Sequence, residues 1–158
     1  MYIKLTLLVA TILTFTSCSK TNAFTYFSIS NESEKAISSL QSATIKDNKK
    51  TTVIFSAINI NTVTDKREDY ENFLISIYLE DKDYSEELMS KSLTLNSKAP
   101  LVVQELDENS TLLKLMPIKN RWSRYYEVMF TSEKSEKLNL IYQTYDKKMA
   151  SLTFQKEN

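Results

Sequence analysis

The sequence predicts a mainly β protein, either an antiparallel sandwich of immunoglobulin-like type or a small barrel, with one short helix near the amino-terminal end. Apolar residues recur at every second position in many short runs, which is the period of a strand with one buried face. Turn-forming residues separate these runs at short intervals. No long helical segments alternate with the runs, so a parallel α/β sheet is not expected.

The single helix is predicted over residues 32–40. Asn31 and Glu34 have the spacing of a capping box, in which two side chains satisfy each other's free backbone N–H groups. The apolar residues that follow have helical spacing: Ala36, Ile37 and Leu40.

About eight short strands are predicted after this helix. The run from Val53 to Ile60 is apolar on both faces at its start, as in a central strand. In a later strand, alternation places Tyr126, Val128 and Phe130 on the core face. The runs that read as strands are residues 43–46, 53–60, 73–80, 92–96, 101–106, 112–116, 125–130 and 138–142, with Leu152 and Phe154 continuing the pattern.

Glycine is absent from the whole chain. Turns that require a positive φ angle must therefore use asparagine or aspartate, which tolerate that region best among the other residues. The asparagines at the expected turns are Asn48, Asn96, Asn109 and Asn120. The same absence excludes a P-loop and a dinucleotide-binding fingerprint, both of which need glycine.

Composition excludes several further classes of site. The chain has no histidine, so imidazole catalysis and imidazole metal ligation are impossible. Its 20 basic and 20 acidic residues give no basic field for nucleic acid. We therefore expect no cofactor, no metal and no nucleic-acid partner.

The amino-terminal residues have the three-part pattern of a secretory signal. Lys4 is followed by the mostly apolar run from Leu5 to Phe15, and small residues then precede Cys18, the only cysteine of the chain. The apolar run is shorter than the about 20 residues that a membrane-spanning helix needs.

This segment resembles the lipobox of bacterial lipoproteins, with Phe15, Thr16 and Ser17 in the three positions before Cys18. The resemblance implies cleavage before Cys18, thioether attachment of lipid to its sulfur, and acylation of the new amino group. It also implies a signal peptide at 1–17. The small and polar residues after Cys18 predict a short tether at 18–23, and the chain length and strand pattern predict a single β-rich domain at 24–158. Ser19 stands where some bacteria use aspartate to retain lipoproteins in the inner membrane. The expected location is therefore the periplasmic face of the outer membrane.

The most distinctive stretch of the domain interleaves cations with aromatic residues between Lys119 and Tyr126. Arginine and large aromatic residues are enriched in binding hot spots. The candidate binding residues are Arg121, Trp122, Arg124 and Tyr125. The alternative is an ordinary strand entrance, and alternation favours it because Trp122 has the parity of Tyr126 and of the core face.

Other candidates carry less specific signals. Asp81, Asp83, Ser85 and Glu87 alternate like the start of a calcium loop but lack its glycine and its final glutamate, so a solvated acidic loop is favoured. Asn109 lies in a sequence that resembles the acidic acceptor of bacterial N-linked glycosylation, or else is a turn asparagine. Carboxylates that could serve a glycosidase are Glu68, Asp69, Glu71, Glu105 and Asp107.

The function predicted from the sequence is that of a monomeric, lipid-anchored, non-enzymatic envelope protein. It would act as a binding or assembly accessory for a protein or a glycan. Two alternatives remain, namely a small carboxylate-based hydrolase and a structural accessory that pairs through an edge strand.

Overall fold

The computed structural model describes residues 30–64, 69–80 and 85–156. It contains 48% strand and 22% helix, so the mainly β prediction is confirmed. The described residues include three α-helices and one 3₁₀ helix. The α-helices are α1 (Asn31–Ser39), α2 (Ile60–Thr64) and α3 (Glu86–Ser92), and the 3₁₀ helix is Thr111–Leu115. The strands are β1 (Gln41–Asp47), β2 (Lys50–Asn59), β3 (Tyr70–Leu79), β4 (Leu93–Leu95), β5 (Val102–Glu105), β6 (Arg124–Thr131), β7 (Lys137–Gln143) and β8 (Met149–Gln155).

The strands form two antiparallel sheets. One has five strands in the order β1-β2-β3-β6-β5, and the other has three in the order β4-β7-β8. The described residues form no closed barrel, so the barrel alternative is wrong and the sandwich is confirmed. Apart from β1, the strand order and pairing directions are those of the ABED and CFG sheets of an immunoglobulin constant-type sandwich.

The main core lies between the two sheets. It takes alternate residues from each strand, and the predicted core residues Tyr126, Val128 and Phe130 are fully buried. The Phe73 ring meets Phe130 edge to face, with ring centroids 6.0 Å apart, and lies 5.2 Å from the Phe154 ring of the opposite sheet. The Phe73–Phe154 contact joins the two sheets without a disulfide.

A second core lies on the outer face of the five-stranded sheet, which is the face turned away from the three-stranded sheet. Ile58 of β2 and Leu74 of β3 point outward yet are fully buried. The residues that cover them belong to α1, α2, the 3₁₀ helix and the residue after it: Ala36, Val63, Leu113 and Met116. We call these three helices the helical layer. It covers only part of the outer face.

The predicted helix is confirmed as α1, but its cap differs from the prediction. The side chain of Ser30, not that of Asn31, accepts the Ser33 N–H at 3.2 Å. The prediction of a strand over residues 112–116 is wrong. That run turns tightly, with Leu113 N–H bonded to the Ser110 carbonyl, so that Leu113 packs into the second core. Helices α2 and α3 were not predicted because each is too short for a clear helical period.

The glycine-free turns follow the prediction in part. Asn48 and Asn96 adopt positive φ angles of 44° and 47°, as predicted. Each is followed by a second positive-φ residue, Lys49 or Ser97, which is the pattern of a tight type I′ turn. Lys147 in the β7–β8 hairpin also has a positive φ angle, 64°. Asn109 and Asn120 do not have positive φ angles. The Asn109 N–H bonds to the Asp107 carboxylate, and the Asn120 side chain accepts backbone N–H groups of its own loop.

The outer edge of β8 is covered by a side chain from the other sheet. The Gln41 Oε1 atom accepts the Thr153 N–H at 3.0 Å, and its Nε2 donates to the Thr153 carbonyl. On β5, the Glu86 carboxylate accepts the Glu105 N–H at 2.8 Å. Strand β4 has only three residues. Short or blocked edges of this kind oppose the addition of a further strand.

Replacement of Gln41 by alanine is expected to lower the free energy of unfolding by about 1–3 kcal/mol, because two backbone groups of Thr153 lose their partners in a partly buried site. Urea unfolding followed by circular dichroism would measure this. Gln155→Ala, at an exposed position of β8, is the matched control and should change the free energy of unfolding by less than about 0.5 kcal/mol. Equal stability of the two variants would contradict the bridging role of Gln41.

Candidate binding groove

A groove of about 550 Å³ opens on the part of the outer face that the helical layer leaves uncovered. We call it the serine groove because serines form its floor. Its size lies within the range of about 300–1,000 Å³ found for small-molecule sites. The residues that line it are Leu40, Ser42, Ile54, Ser56, Ser76, Tyr78, Met116, Ile118, Asn120, Trp122 and Ser123.

The floor is a row of serines that crosses three neighbouring strands. Ser42 of β1 pairs in register with Ser56 of β2, and Ser56 pairs with Ser76 of β3. Because strand side chains alternate between faces, all three point to the outer face. The Ser42 and Ser56 hydroxyls are hydrogen-bonded at 2.6 Å. Small side chains aligned across strands create a depression between larger neighbours.

Larger side chains rise on both sides of this row. On one side, Ile54 pairs in register with Tyr78, and both project from the same face as the serines. On the other side, Leu40 and Met116 mark the border of the helical layer. Ile54 is 42% exposed, so this wall is open to solvent although it belongs to a central strand. The groove therefore has apolar walls and a hydroxyl floor.

The loop before β6 is fixed by Asn120. Its Oδ1 atom accepts the N–H groups of Trp122 and Ser123, both at 2.9 Å. The Tyr125 hydroxyl accepts the Asn120 N–H at 2.7 Å and donates to the Asn120 carbonyl at 3.1 Å. These four bonds hold the loop that presents the Trp122 ring to the groove.

The assignment of Trp122 to the core is wrong. Its side chain is 63% exposed, and the Arg121 guanidinium lies over its ring at 5.1 Å from the centroid, a cation–π contact. Alternation failed here because β6 begins only at Arg124, and the turn at Asn120 directs Trp122 toward the outer face. The parity rule holds inside a strand and not across a turn.

The structure brings together only some of the four predicted binding residues. Trp122 lines the groove, Arg121 stacks on it, and Tyr125 is half-buried beneath the loop as a support. Arg124 is separate from the groove lining and forms an ion pair with Glu105 at 3.2 Å. The serine row was missed. The signal for it was the position of Ser56 and Ser76 between large apolar residues of the same face.

None of the groove-lining residues carries a charge. The Arg121 guanidinium faces the Trp122 ring. The groove therefore favours an uncharged ligand surface, because burying an unpaired charge against apolar walls is costly.

A second cavity, of about 310 Å³, lies between the β1–β2 and β7–β8 hairpins. The Lys148 ammonium is 2.9 Å from Asp146 and 3.3 Å from Asp47. Hydrogen bonds from Thr144 and Lys148 lower the pKa of Asp146. In turn, the carboxylates of Asp146 and Asp47 raise the pKa of Lys148. The Lys148 ammonium is therefore shared by two carboxylates. Within residues 30–64, 69–80 and 85–156, no cluster of potential metal ligands was found.

The carboxylates considered for hydrolysis do not converge. The Glu71 side chain is 4% exposed and forms an ion pair with Lys156, whereas Glu105 pairs with Arg124. In register these acids lie opposite Phe130 and Tyr126, four residues or roughly 13 Å apart along β6. Glycosidase pairs are about 5–9 Å apart. Asp69 lies directly before β3 and Asp107 lies shortly after β5, whereas Glu68 lies outside the described residues.

The calcium-like pattern falls partly on α3. Ser85 caps this helix by accepting the Leu88 N–H at 3.2 Å, and Glu87 pairs with Lys91 at 2.6 Å. That ion pair lowers the pKa of Glu87. Asp81 and Asp83 lie outside the described residues. The prediction of a solvated loop after the strand missed the helix that follows.

Asn109 lies in an exposed turn, where its N–H bonds to the Asp107 carboxylate at 2.8 Å. This bond to its backbone helps to hold the turn, and glycosylation of Asn109 stays a prediction. Cys18 and the signal segment lie outside the described residues. No helix in the described part of the chain is long and apolar enough to cross a membrane.

Comparison with known proteins gave no match: no family model, no curated protein and no solved structure is significantly similar to this chain.

Proposed function

We propose that this chain is a non-enzymatic binding module, held by lipid on Cys18 at the periplasmic face of a bacterial membrane, and that the serine groove is its binding site. The observation that carries the binding proposal is the exposed Trp122 ring at an uncharged groove of about 550 Å³. Ser19 after the lipidated residue favours the outer membrane.

The groove chemistry favours apolar side chains of a protein partner over a glycan. Ile54 and Ile118, which are 42% and 65% exposed, supply apolar surface that a peptide side chain fills well. Some of the polar atoms are engaged already, since Ser42 bonds to Ser56 and the Asn120 side chain bonds to its own loop. A glycan stacked on Trp122 is the second candidate.

The two remaining alternatives have less support. A hydrolase needs two convergent carboxylates, and Glu71 and Glu105 have separate cationic partners. A strand-pairing accessory needs an open edge, and the Thr153 backbone of β8 is already occupied by Gln41. A binding groove therefore agrees best with the described geometry.

Replacement of Trp122 by alanine should abolish partner binding while leaving the fold intact. Central tryptophans of binding sites commonly contribute about 2 kcal/mol or more, so the affinity should fall at least about 30-fold. Because the side chain is 63% exposed, the free energy of unfolding should change by less than about 1 kcal/mol. The partner would be identified by photo-crosslinking from position 118 in intact envelopes, and its affinity measured after purification.

Tyr145→Ala is the matched control for this experiment. Tyr145 is also an exposed aromatic residue, but it lies at the tip of the β7–β8 hairpin and is not part of the groove lining. It should bind the partner with unchanged affinity. If Trp122→Ala binds as well as the control, or unfolds instead of losing only affinity, the groove is not the binding site.

A further inference from the structure

We propose that the loop of residues 117–123 binds the surface of an anionic phospholipid membrane while the serine groove holds no partner. We call it the rim loop, because it borders the groove and leads into β6. The inference goes beyond the proposed function. It concerns the edge of the groove, and it requires neither a partner in the groove nor lipid on Cys18.

The rim loop lies in a stretch of one-sided charge. Residues 109–126 contain four basic residues and no acidic residue, although the whole chain has 20 of each. Two of the four, Lys119 and Arg121, belong to the rim loop and are exposed. Within the described residues, neither forms an ion pair with a carboxylate, whereas Arg124 is paired with Glu105. Two neighbouring cations of this kind attract an anionic lipid surface.

Large apolar side chains project from the same loop. Ile118 and Trp122 are both largely exposed. Tryptophan is enriched where membrane meets water, because its ring has an apolar body and a polar N–H group. The Arg121 guanidinium lies over the Trp122 ring, so the cation and the ring would reach the headgroup region together. Exposed apolar residues beside lysine and arginine are the combination that binds membrane interfaces.

The cations of the rim loop are not used by the groove. Neither Lys119 nor Arg121 is among the lining residues, and the groove favours an uncharged ligand surface. The loop is already held in shape by Asn120, whose side chain accepts two backbone N–H groups. Binding therefore costs little additional ordering of the backbone. Because Trp122 also lines the groove, a partner that covers this ring would compete with the membrane.

The test uses Trp122, the only tryptophan of the chain, as a reporter of lipid contact. The whole purified chain is mixed with vesicles of phosphatidylcholine and phosphatidylglycerol whose acyl chains carry bromine, which quenches a tryptophan in contact with it. Flotation shows that the vesicles carry the protein. We expect at least about half of the Trp122 fluorescence to be lost relative to vesicles without bromine, because the ring would lie in the membrane interface. Brominated phosphatidylcholine alone should quench much less.

A double variant, Lys119→Ser with Arg121→Ser, should lose most of this quenching. Each lysine or arginine near an anionic surface strengthens binding roughly fivefold, so loss of both should weaken the contact about 25-fold. The matched control is Lys134→Ser with Lys137→Ser, which removes the same charge from exposed positions beyond the opposite end of β6. It should be quenched like the wild type.

A second measurement needs no substitution. Salt at about 1 M, where charges are screened beyond about 3 Å, should reduce the quenching of the wild type as the double variant does. Circular dichroism spectra and melting temperatures check that every variant is folded.

Equal fluorescence on brominated and plain vesicles that carry the protein would overturn the proposal, since Trp122 would then stay away from the lipid. Equal quenching on phosphatidylcholine alone would also overturn it, because charge would play no part. Absence of the protein from the floating vesicles would have the same meaning. A double variant that loses affinity for the purified partner, together with a wild type that bromine does not quench, would assign the two cations to the partner and overturn the lipid contact.

Discussion

Replacement of Cys18 by alanine is expected to release or mislocalise the protein and to abolish its metabolic labelling with a fatty-acid analogue. Cys18 is the only residue that can form the thioether, because the chain has no other cysteine. Each buried CH₂ group of an acyl chain contributes about 0.8 kcal/mol, so two or three chains hold a protein almost permanently. Fractionation and metabolic labelling with a fatty-acid analogue would measure the two consequences together.

Ser19→Ala is the matched control for Cys18→Ala, since it changes the neighbouring residue and leaves the sulfur in place. It should keep both the lipid label and the membrane location. The lipoprotein proposal would be wrong if the wild type incorporates no label. It would also be wrong if Cys18→Ala incorporates the label as the wild type does.

Replacement of Glu71 by alanine is expected to lower the free energy of unfolding by about 2–4 kcal/mol, a large part of the about 5–15 kcal/mol that stabilises a typical domain. The Glu71 carboxylate is 4% exposed and receives the Lys156 ammonium and, at 3.1 Å, the Glu133 N–H. Its loss leaves both donors without this acceptor. Lys156 is 27% exposed, so water relieves part of the penalty and places the effect below that of a fully buried pair.

Urea unfolding would measure this effect against Glu108→Ala, an exposed glutamate in a turn, which should change stability by less than about 0.5 kcal/mol. A double variant, Glu71→Leu with Lys156→Leu, tests the mechanism. Removing both charges should recover most of the lost stability, because apolar replacements of a buried pair are often neutral. A double variant no more stable than Glu71→Ala would show that the ion pair is not the cause.

Much of the fold could be predicted because its strands alternate in the ordinary way. The rows that contain Phe73, Ile75 and Tyr126 are buried on the face that alternation assigns to the core. The α1 helix and the turns at Asn48 and Asn96 follow from local chemistry that any chain with these residues shares. Short elements such as α2 and the 3₁₀ helix escaped prediction because tertiary contacts with Ile58 and Leu74 stabilise them.

The candidate site was predicted less well than the fold. The sequence identified Arg121, Trp122, Arg124 and Tyr125 as one group because they are neighbours along the chain. In the structure the turn at Asn120 separates them, with Trp122 at the groove and Arg124 beside Glu105. A four-residue group cannot reveal such a split, since the direction of each side chain depends on where the strand begins.

By itself, the sequence determined the β class, most of the strands and the chemistries that a chain without histidine or glycine cannot perform, because these depend only on composition and local spacing. Only the tertiary structure decided that Ser42, Ser56 and Ser76 form one row, since their alignment depends on the register of three paired strands. It also decided that the helical layer stops short of this row. Register depends on how neighbouring strands pair, and coverage depends on how the helical layer packs on the sheet; the alternation within one strand encodes neither.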